Sequence, residues 1–393
     1  MSKAKTNNHI ESLKKICDFL EKNPAKIETP GYLYDIDQVM KNYRLLKEKL
    51  GTSLIVSLKA NSCFDLLVRY QHMINDLEVA SLLELNISVQ TNKNIYVNTP
   101  AGDEKLIRAA LASKATIIID NLNQLDIIAK YIKSSVNKKV ILRLNSSVIN
   151  QFSPEKLALA PDYFGMDWDN LIEAIKRIKA LEIDLTGIHV FHGPFSFAKN
   201  AFITVKAICA ITEQIETIYG KQLTFINLGG GFSDNWQNDN FDFAAYREQL
   251  KIIPRRIEVA HESGRGIFSS CGYYLIKVIH VKELNNNIIA ICDGGLSQNF
   301  LLAQTENIFR EYKIPYRYHK EDKTKNIKDT NCTKLILTGS TCSRNDVLSI
   351  LPANSEIPEV GDIYIFDNCG AYNYSYSVSK FLSLPEAKQY LIS

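Results

Sequence analysis

The sequence predicts a (β/α)8 barrel followed by an all-β domain, and three observations carry that expectation. Eight apolar runs rich in β-branched residues, near 54 to 58, 77 to 80, 94 to 98, 115 to 120, 139 to 144, 184 to 191, 224 to 228 and 256 to 261, alternate with segments of helical period. After Gly272 the runs continue without long helical segments between them. The chemically distinctive side chains fall at the ends of the runs, where a barrel of this kind carries its active site.

Taken in order, the first run, Ile55-Val56-Ser57-Leu58, ends by delivering the amine of Lys59 to a turn made by Ala60 and Asn61. Ser81 follows the second run, Arg143 and Asn145 end the fifth, and His189 ends the sixth. The triplet Gly229-Gly230-Gly231 follows the seventh and Glu262 the eighth. The intervening segments Leu106 to Ala112, Leu122 to Ile132, Leu171 to Ala180 and Ala201 to Ile218 repeat apolar residues with a helical period. Eight alternating units fit a closed barrel better than an open doubly wound sheet. Beyond them, Tyr273 to Val281, Ile288 to Cys292, Lys334 to Thr338 and Ile363 to Phe366 read as strands. Leu302 to Asn331, with Tyr312, Lys313, Arg317, Tyr318 and Lys320, reads as a polar excursion. The expected domains are therefore 30 to 270 for the barrel and 271 to 393 for the β domain.

Bulk properties narrow the function. With 393 residues, 46% apolar and 23% charged, the chain can bury two sizeable cores. A net charge of +3, without long runs of like charge, gives no footprint for nucleic acid or an anionic membrane, and leaves a small anionic ligand open. The first 23 residues lack the apolar core of a signal peptide and no later stretch is long and apolar enough to span a bilayer, so the expected location is the cytoplasm. Cysteines stand at 17, 63, 209, 271, 292, 332, 342 and 369 without C-x-x-C spacing or clustered histidines, which argues against a zinc site and a disulfide framework.

Singly, these signals are ordinary. A strand-end lysine is commonly a surface residue, a glycine triplet a tight turn, and Tyr372 is one of 19 tyrosines. Together, and in this order, Lys59, Gly229-Gly230-Gly231, Glu262-Ser263-Gly264-Arg265, the segment Gly339-Ser340-Thr341-Cys342-Ser343-Arg344-Asn345-Asp346 and Gly370-Ala371-Tyr372 resemble the fold-type III pyridoxal-phosphate decarboxylases, the family of ornithine and diaminopimelate decarboxylases. The resemblance runs from about residue 30 to 393. It implies an alanine-racemase-like barrel with residues 1 to 29 packed on the β domain, pyridoxal phosphate as cofactor, and a homodimer with shared active sites.

The same resemblance implies the site. Lys59 would hold the cofactor covalently, and Cys342, coming from the partner subunit, would return a proton after carbon dioxide leaves. Glu262 would face the ring nitrogen. The glycine triplet, the Gly264-Arg265 backbone and Tyr372 would meet the phosphate, a use that suits backbone amides freed of Cβ obstruction. Ser263 stands where the family has proline, leaving both functional groups of that motif in place. Ser81 is a further cofactor-side candidate, Arg143 either supports the cofactor or pairs with a carboxylate, and either His189 or Phe191 packs on the ring.

Two departures bear on the substrate. Phe191 and Pro194 stand where ornithine and diaminopimelate decarboxylases have a ring-stacking histidine and a phosphate-binding serine. Ser343, followed by Arg344, stands where an acid would pair with a substrate ammonium, and Asp346 keeps the motif's acid. Ser343, Arg344 and Asp346 form the expected substrate-facing set, and the pattern His189-Val190-Phe191 followed by Gly193, with the later Phe381-Leu382-Ser383, is similar to the branch acting on carrier-bound or otherwise elaborated amino acids from natural-product or siderophore pathways. A racemase on the same scaffold, which needs two bases flanking Cα, and a non-catalytic carrier of the cofactor are the competing readings. The Cys342 motif speaks against the first and the β domain against the second.

Overall fold

The computed structural model describes residues 3–23, 26–135, 137–153, 162–304, 311–318, 333–352 and 354–393. The chain divides into two compact units: Val39–Phe268, and Met1–Gln38 together with Ser269–Ser393. Strand β1 (Gly31–Asp35) belongs to the second of these.

The first unit is a closed parallel barrel in the order β2 (Ser53–Ser57), β3 (Asp76–Val79), β4 (Asn94–Asn98), β5 (Thr116–Ile119), β6 (Lys139–Arg143), β7 (Asp184–His189), β8 (Phe225–Asn227) and β9 (Glu258–Ser263). All eight expected runs form strands. Strands buried on both faces need no polar alternation, which is why Thr116–Ile119 reads as an unbroken apolar stretch. Closure comes from β2 lying parallel to β9, with Ile55 opposite Glu262 and Val56 opposite Ser263. Inside, Ile55, Ile118, Ile141, Phe225 and Ala260 form one buried cluster.

Short caps turn the chain from strand to helix. Ser81, Asp103, Asn121 and Asp167 each accept a hydrogen bond from the backbone N–H three residues on. Helices Ile36–Leu50, Phe64–Tyr70, Leu82–Ser88 and Phe243–Leu250 complete the outer ring beside the expected ones. Among the described residues, no helix is long and apolar enough to cross a membrane.

Among the described residues, the second unit is a mixed eight-stranded sheet. Its strands after β1 are β10 (Gly272–Leu284), β11 (Asn287–Cys292), β12 (Tyr316–Tyr318), β13 (Lys334–Thr338), β14 (Val347–Leu351), β15 (Ile363–Phe366) and β16 (Lys388–Ile392). The path runs β12-β15-β10-β11-β13-β14, and β1 pairs with both β10 and β16. A core of Ile16, Leu20, Leu33, Tyr273, Leu275, Tyr318, Ile365 and Ile392 joins helix Lys3–Lys22 to the sheet.

Two expectations need correction. Strands β12, β14 and β16 escape the sequence pattern because the first is a three-residue piece centred on Arg317, the second follows the Cys342 segment directly, and the third carries Lys388 and Gln389. The polar excursion at 302 to 331 therefore contains a strand, and Arg317 within it is tied to Glu356 at 3.2 Å and Asp362 at 2.5 Å. That pairing fixes Arg317 within the sheet unit. Lys320 lies outside the described residues.

Candidate active site

At the carboxyl ends of the barrel strands, charged and polar side chains converge in an otherwise apolar interior. Lys59 sits in a one-turn 3-10 helix, Leu58–Ala60, closed by the bond from Asn61 N–H to the Leu58 carbonyl. Its Nζ donates to Glu78 Oε1 at 2.5 Å. Glu78 ends β3, is 1% exposed, and also accepts from Asn98 Nδ2 at 3.2 Å. Burial, and next the neighbouring Glu262 carboxylate, push the Glu78 carboxyl up to about 7.

Glu262 approaches from β9. Asn227, fully buried at the end of β8, donates to Glu262 Oε2 at 3.3 Å while its own Oδ1 accepts the Gly229 N–H at 2.8 Å. His189 Nε2 lies 3.3 Å from the same Glu262 oxygen, yet neither ring nitrogen makes a hydrogen bond. Burial, and then Arg143, lower His189 to about 3, so the ring is a neutral, orphaned polar group. Ligand atoms of Glu78, His189 and Glu262 all lie within 4.8 Å of one another. The Lys59 amine counters only part of the cost of charging Glu78 there.

The glycine triplet is required by packing. A Cβ on Gly229 would stand 2.2 Å from the Val190 carbonyl oxygen, on Gly230 2.2 Å from that of Glu262, and on Gly231 2.6 Å from that of Gly193. Gly229 and Gly231 also have positive φ, at 71° and 89°. The loop after β8 is thereby pressed against the ends of β7 and β9, with the half-buried Phe191 beside it. Gly264 is similarly forced, since its Cβ would meet Ala60 Cβ at 2.5 Å, which seats the Glu262 motif on the turn carrying Lys59. Arg265 pairs with Asp234 at 3.2 Å and lies 4.6 Å over the Phe195 ring.

Other candidates are placed differently. Ser81 is exposed and its hydroxyl accepts the Glu84 N–H at 3.2 Å, so it serves as a helix cap rather than reaching a cofactor. Arg143 is buried against Asp120 at 3.1 Å and under Phe164 at 4.8 Å. Of the two uses open to it, the ion pair is the one observed, and it ties the end of β6 to the residue after β5. Asn145 caps the following helix through Ser147 N–H.

In the sheet unit, Cys342 is exposed on the turn between β13 and β14. Asp346 is 2% exposed, and its carboxylate accepts from Leu296 N–H at 2.7 Å, Thr341 N–H at 3.0 Å and the Thr341 hydroxyl at 2.6 Å. It builds the turn that presents Cys342, which corrects the expectation that it meets a substrate. Ser343 accepts the Asn345 N–H at 3.2 Å. Arg344 is exposed, and no ion pair reaches it among the described residues. Tyr372 holds a left-handed backbone, φ 67°, and its carbonyl accepts the Tyr376 N–H at 2.8 Å.

Residues 36–269 match the family described as pyridoxal-dependent decarboxylase, pyridoxal binding domain. The chain belongs to that family. Full-length relatives carry the same reading across both units. A decarboxylase of Niallia circulans acting on an L-glutamyl group of an acyl-carrier protein is 25% identical over 389 residues, covering 92% of this chain and 88% of its own. The 2-((L-alanin-3-ylcarbamoyl)methyl)-2-hydroxybutanedioate decarboxylase of Staphylococcus aureus is 24% identical, covering 90% of this chain and 92% of its own. Diaminopimelate decarboxylase of Deinococcus radiodurans is 23% identical, covering 95% and 92%. The fold is that of the lysine/ornithine decarboxylase of Vibrio vulnificus, with TM-score 0.76, 20% identity and coverage of 96% of this chain and 98% of that one. The arginine decarboxylase of Paramecium bursaria Chlorella virus has TM-score 0.78 at 18% identity, covering 96% and 99%.

This pyridoxal-dependent decarboxylase is thus a carboxy-lyase acting on amino acids, and its cofactor is pyridoxal phosphate. The barrel residues fit that group: a primary amine held by a buried acid, a second acid beside an unbonded imidazole, and a glycine turn whose Cβ positions are closed by carbonyls. Sequence reasoning missed Glu78, Asn98 and Asn227. An acid between Leu77 and Val79, near the carboxyl end of a barrel strand, is the signal that marks Glu78.

Proposed function

We propose that this enzyme removes the α-carboxylate of an amino acid, or amino-acid moiety, whose side chain is enlarged and non-basic, within a natural-product or siderophore pathway of the cytoplasm. The observation that carries the chemistry is the Lys59 amine on Glu78 beside the Glu262 and His189 pair. Bound pyridoxal phosphate supplies an electron sink for the bond pair freed as carbon dioxide leaves.

The chain's own groups do the rest. Lys59 anchors the cofactor, and Glu78, with a value near 7, takes and returns the proton of that amine as the substrate amine displaces it. Glu262, positioned by Asn227, answers the ring nitrogen, and neutral His189 or Phe191 packs on the ring without adding charge. The Gly229 to Gly231 turn, Gly264, Arg265 and Tyr372 hold the phosphate. The left-handed backbone of Tyr372 supports this assignment, since such strain collects at ligand clamps. Cys342 of the partner subunit returns a proton to the α-carbon in a two-fold dimer.

The substrate class rests on Ser343 and Arg344, which present an exposed guanidinium on the Cys342 turn in place of a carboxylate. A planar fork of this kind favours a distal carboxylate or similar anion over an ammonium. The acidic or carrier-bound substrates named for the Niallia and Staphylococcus relatives support the same direction. The test is carbon dioxide release, followed by mass spectrometry, from anionic and elaborated amino acids alongside ornithine and lysine. Efficient turnover of free ornithine or lysine would sink the assignment.

A further inference from the structure

The loop after β7 leads through Gly193 and Pro194 into the helix Phe197–Tyr219. Pro194 has neither an N–H nor a hydroxyl to donate, so the segment Gly193-Pro194-Phe195 offers a phosphate little beyond the amides of Gly193 and Phe195. Two residues on, Ser196 stands at the N-cap of the 23-residue helix Phe197–Tyr219 but makes no side-chain cap bond. Serine in that position ordinarily turns its oxygen onto the helix's own first-turn amides. Here the hydroxyl points away and donates to the Gly193 carbonyl at 2.7 Å.

That orientation places Ser196 Oγ on the glycine turn, 2.8 Å from where a Cβ of Gly231 would be. The two loops are also joined by the bond from Phe197 N–H to the Gly231 carbonyl at 3.2 Å. The positive φ values of Gly193, 96°, Phe195, 59°, and Gly231, 89°, show both loops bent to make this approach. A hydroxyl beside a glycine turn, at the positive end of a long helix, is built to donate to an anion, and exchanging a neutral carbonyl acceptor for a phosphate oxygen strengthens its bond.

We propose that the Ser196 hydroxyl is a ligand of the cofactor phosphate, supplying the donor that Pro194 cannot. The proposal rests on the reading that the Gly229 to Gly231 turn holds that phosphate. Its test compares two probes on apoenzyme, pyridoxal phosphate and pyridoxal, following the visible absorbance of the Lys59-linked chromophore rather than turnover. Wild type is expected to prefer pyridoxal phosphate. Ser196→Ala should weaken pyridoxal phosphate by about 10-fold to 100-fold, the loss of one charge-assisted hydrogen bond, and leave pyridoxal unchanged. Ser196→Asp, a residue well tolerated at a helix start that adds a negative charge, should weaken pyridoxal phosphate further and again spare pyridoxal. Equal loss of both probes in the variants, or no loss of either, overturns the Ser196 assignment while wild type keeps its preference. A wild type that binds both probes alike overturns the glycine-turn reading beneath it.

Discussion

Lys59 and Cys342, the side chains assigned to the two ends of the reaction, are held in opposite ways. Around Lys59 the supports are charged, buried and mutually dependent: Glu78 and Glu262 are each nearly sealed from solvent, and each leans on an asparagine from a neighbouring strand. Around Cys342 one buried carboxylate, Asp346, gathers backbone and hydroxyl donors and leaves the thiol in solvent. The barrel thus tunes protonation, whereas the sheet unit sets only position. If Cys342 meets the α-carbon across a dimer interface, as proposed, it needs reach more than a tuned environment.

The largest effect that contrast predicts is at Lys59. Lys59→Ala should lower carbon dioxide release by more than about 10^4-fold, and borohydride should leave no cofactor attached to the variant. A reducible adduct surviving in Lys59→Ala would break the assignment. Next, Cys342→Ala should cost about 10^2-fold to 10^4-fold in turnover, the range of a general acid, while the visible absorbance persists. Mixing the two inactive variants should restore one competent site per heterodimer. Confirmed subunit exchange without recovered activity would rule out a shared site.

The buried half of the comparison is sharpened by pH. Glu78 is raised from 4.5 to about 7, by burial first and Glu262 second. A carboxyl raised on folding contributes stability that is fully present below its unfolded value and is lost as pH climbs through its folded value. The buried His189 and His261, both lowered to about 3 by burial, act in the opposite sense, so the informative quantity is a difference. Wild type minus Glu78→Gln, measured as unfolding free energy of cofactor-free protein, should fall by about 3 kcal/mol between pH 4.5 and 7. A flat difference would mean that Glu78 ionises normally. The smallest effect belongs to the exposed turn: Arg344→Ala should weaken the true substrate by about 1.5 to 3 kcal/mol in binding titrations, with absorbance unchanged. Unaltered affinity would make Arg344 a solvated rim residue.

How much of this was legible in the sequence differs between the two units for physical reasons. Barrel strands buried on both faces announce themselves as apolar runs, so all eight were readable, and with them Lys59 and Glu262 at their ends. The sheet unit hides β12, β14 and β16, because short or polar strands in a mixed sheet carry weak periodicity. Ser81 reads as a cofactor candidate although Ser81-Leu82-Leu83-Glu84 has the sequence of a capping box; the Ser81 hydroxyl accepts the Glu84 N–H and the Glu84 carboxylate accepts that of Ala80. Glu78, three residues earlier, is the side chain from that strand that reaches Lys59, and an isolated acid gives no hint of its partner until the barrel closes. Asp346 was legible as an acid and misread in direction, since only the fold brings Leu296 to it.

The glycine turn has a bearing on how this enzyme can be altered. Carbonyls of Val190, Glu262 and Gly193 fill the spaces where Cβ atoms of Gly229, Gly230 and Gly231 would stand. Three strand ends are thereby geared together, and no one of these positions can accept a larger residue without displacing a neighbouring loop. A library meant to widen the range of accepted substrates should hold this turn constant and spend its diversity at 343 and 344, where the exposed Arg344 leaves room for change.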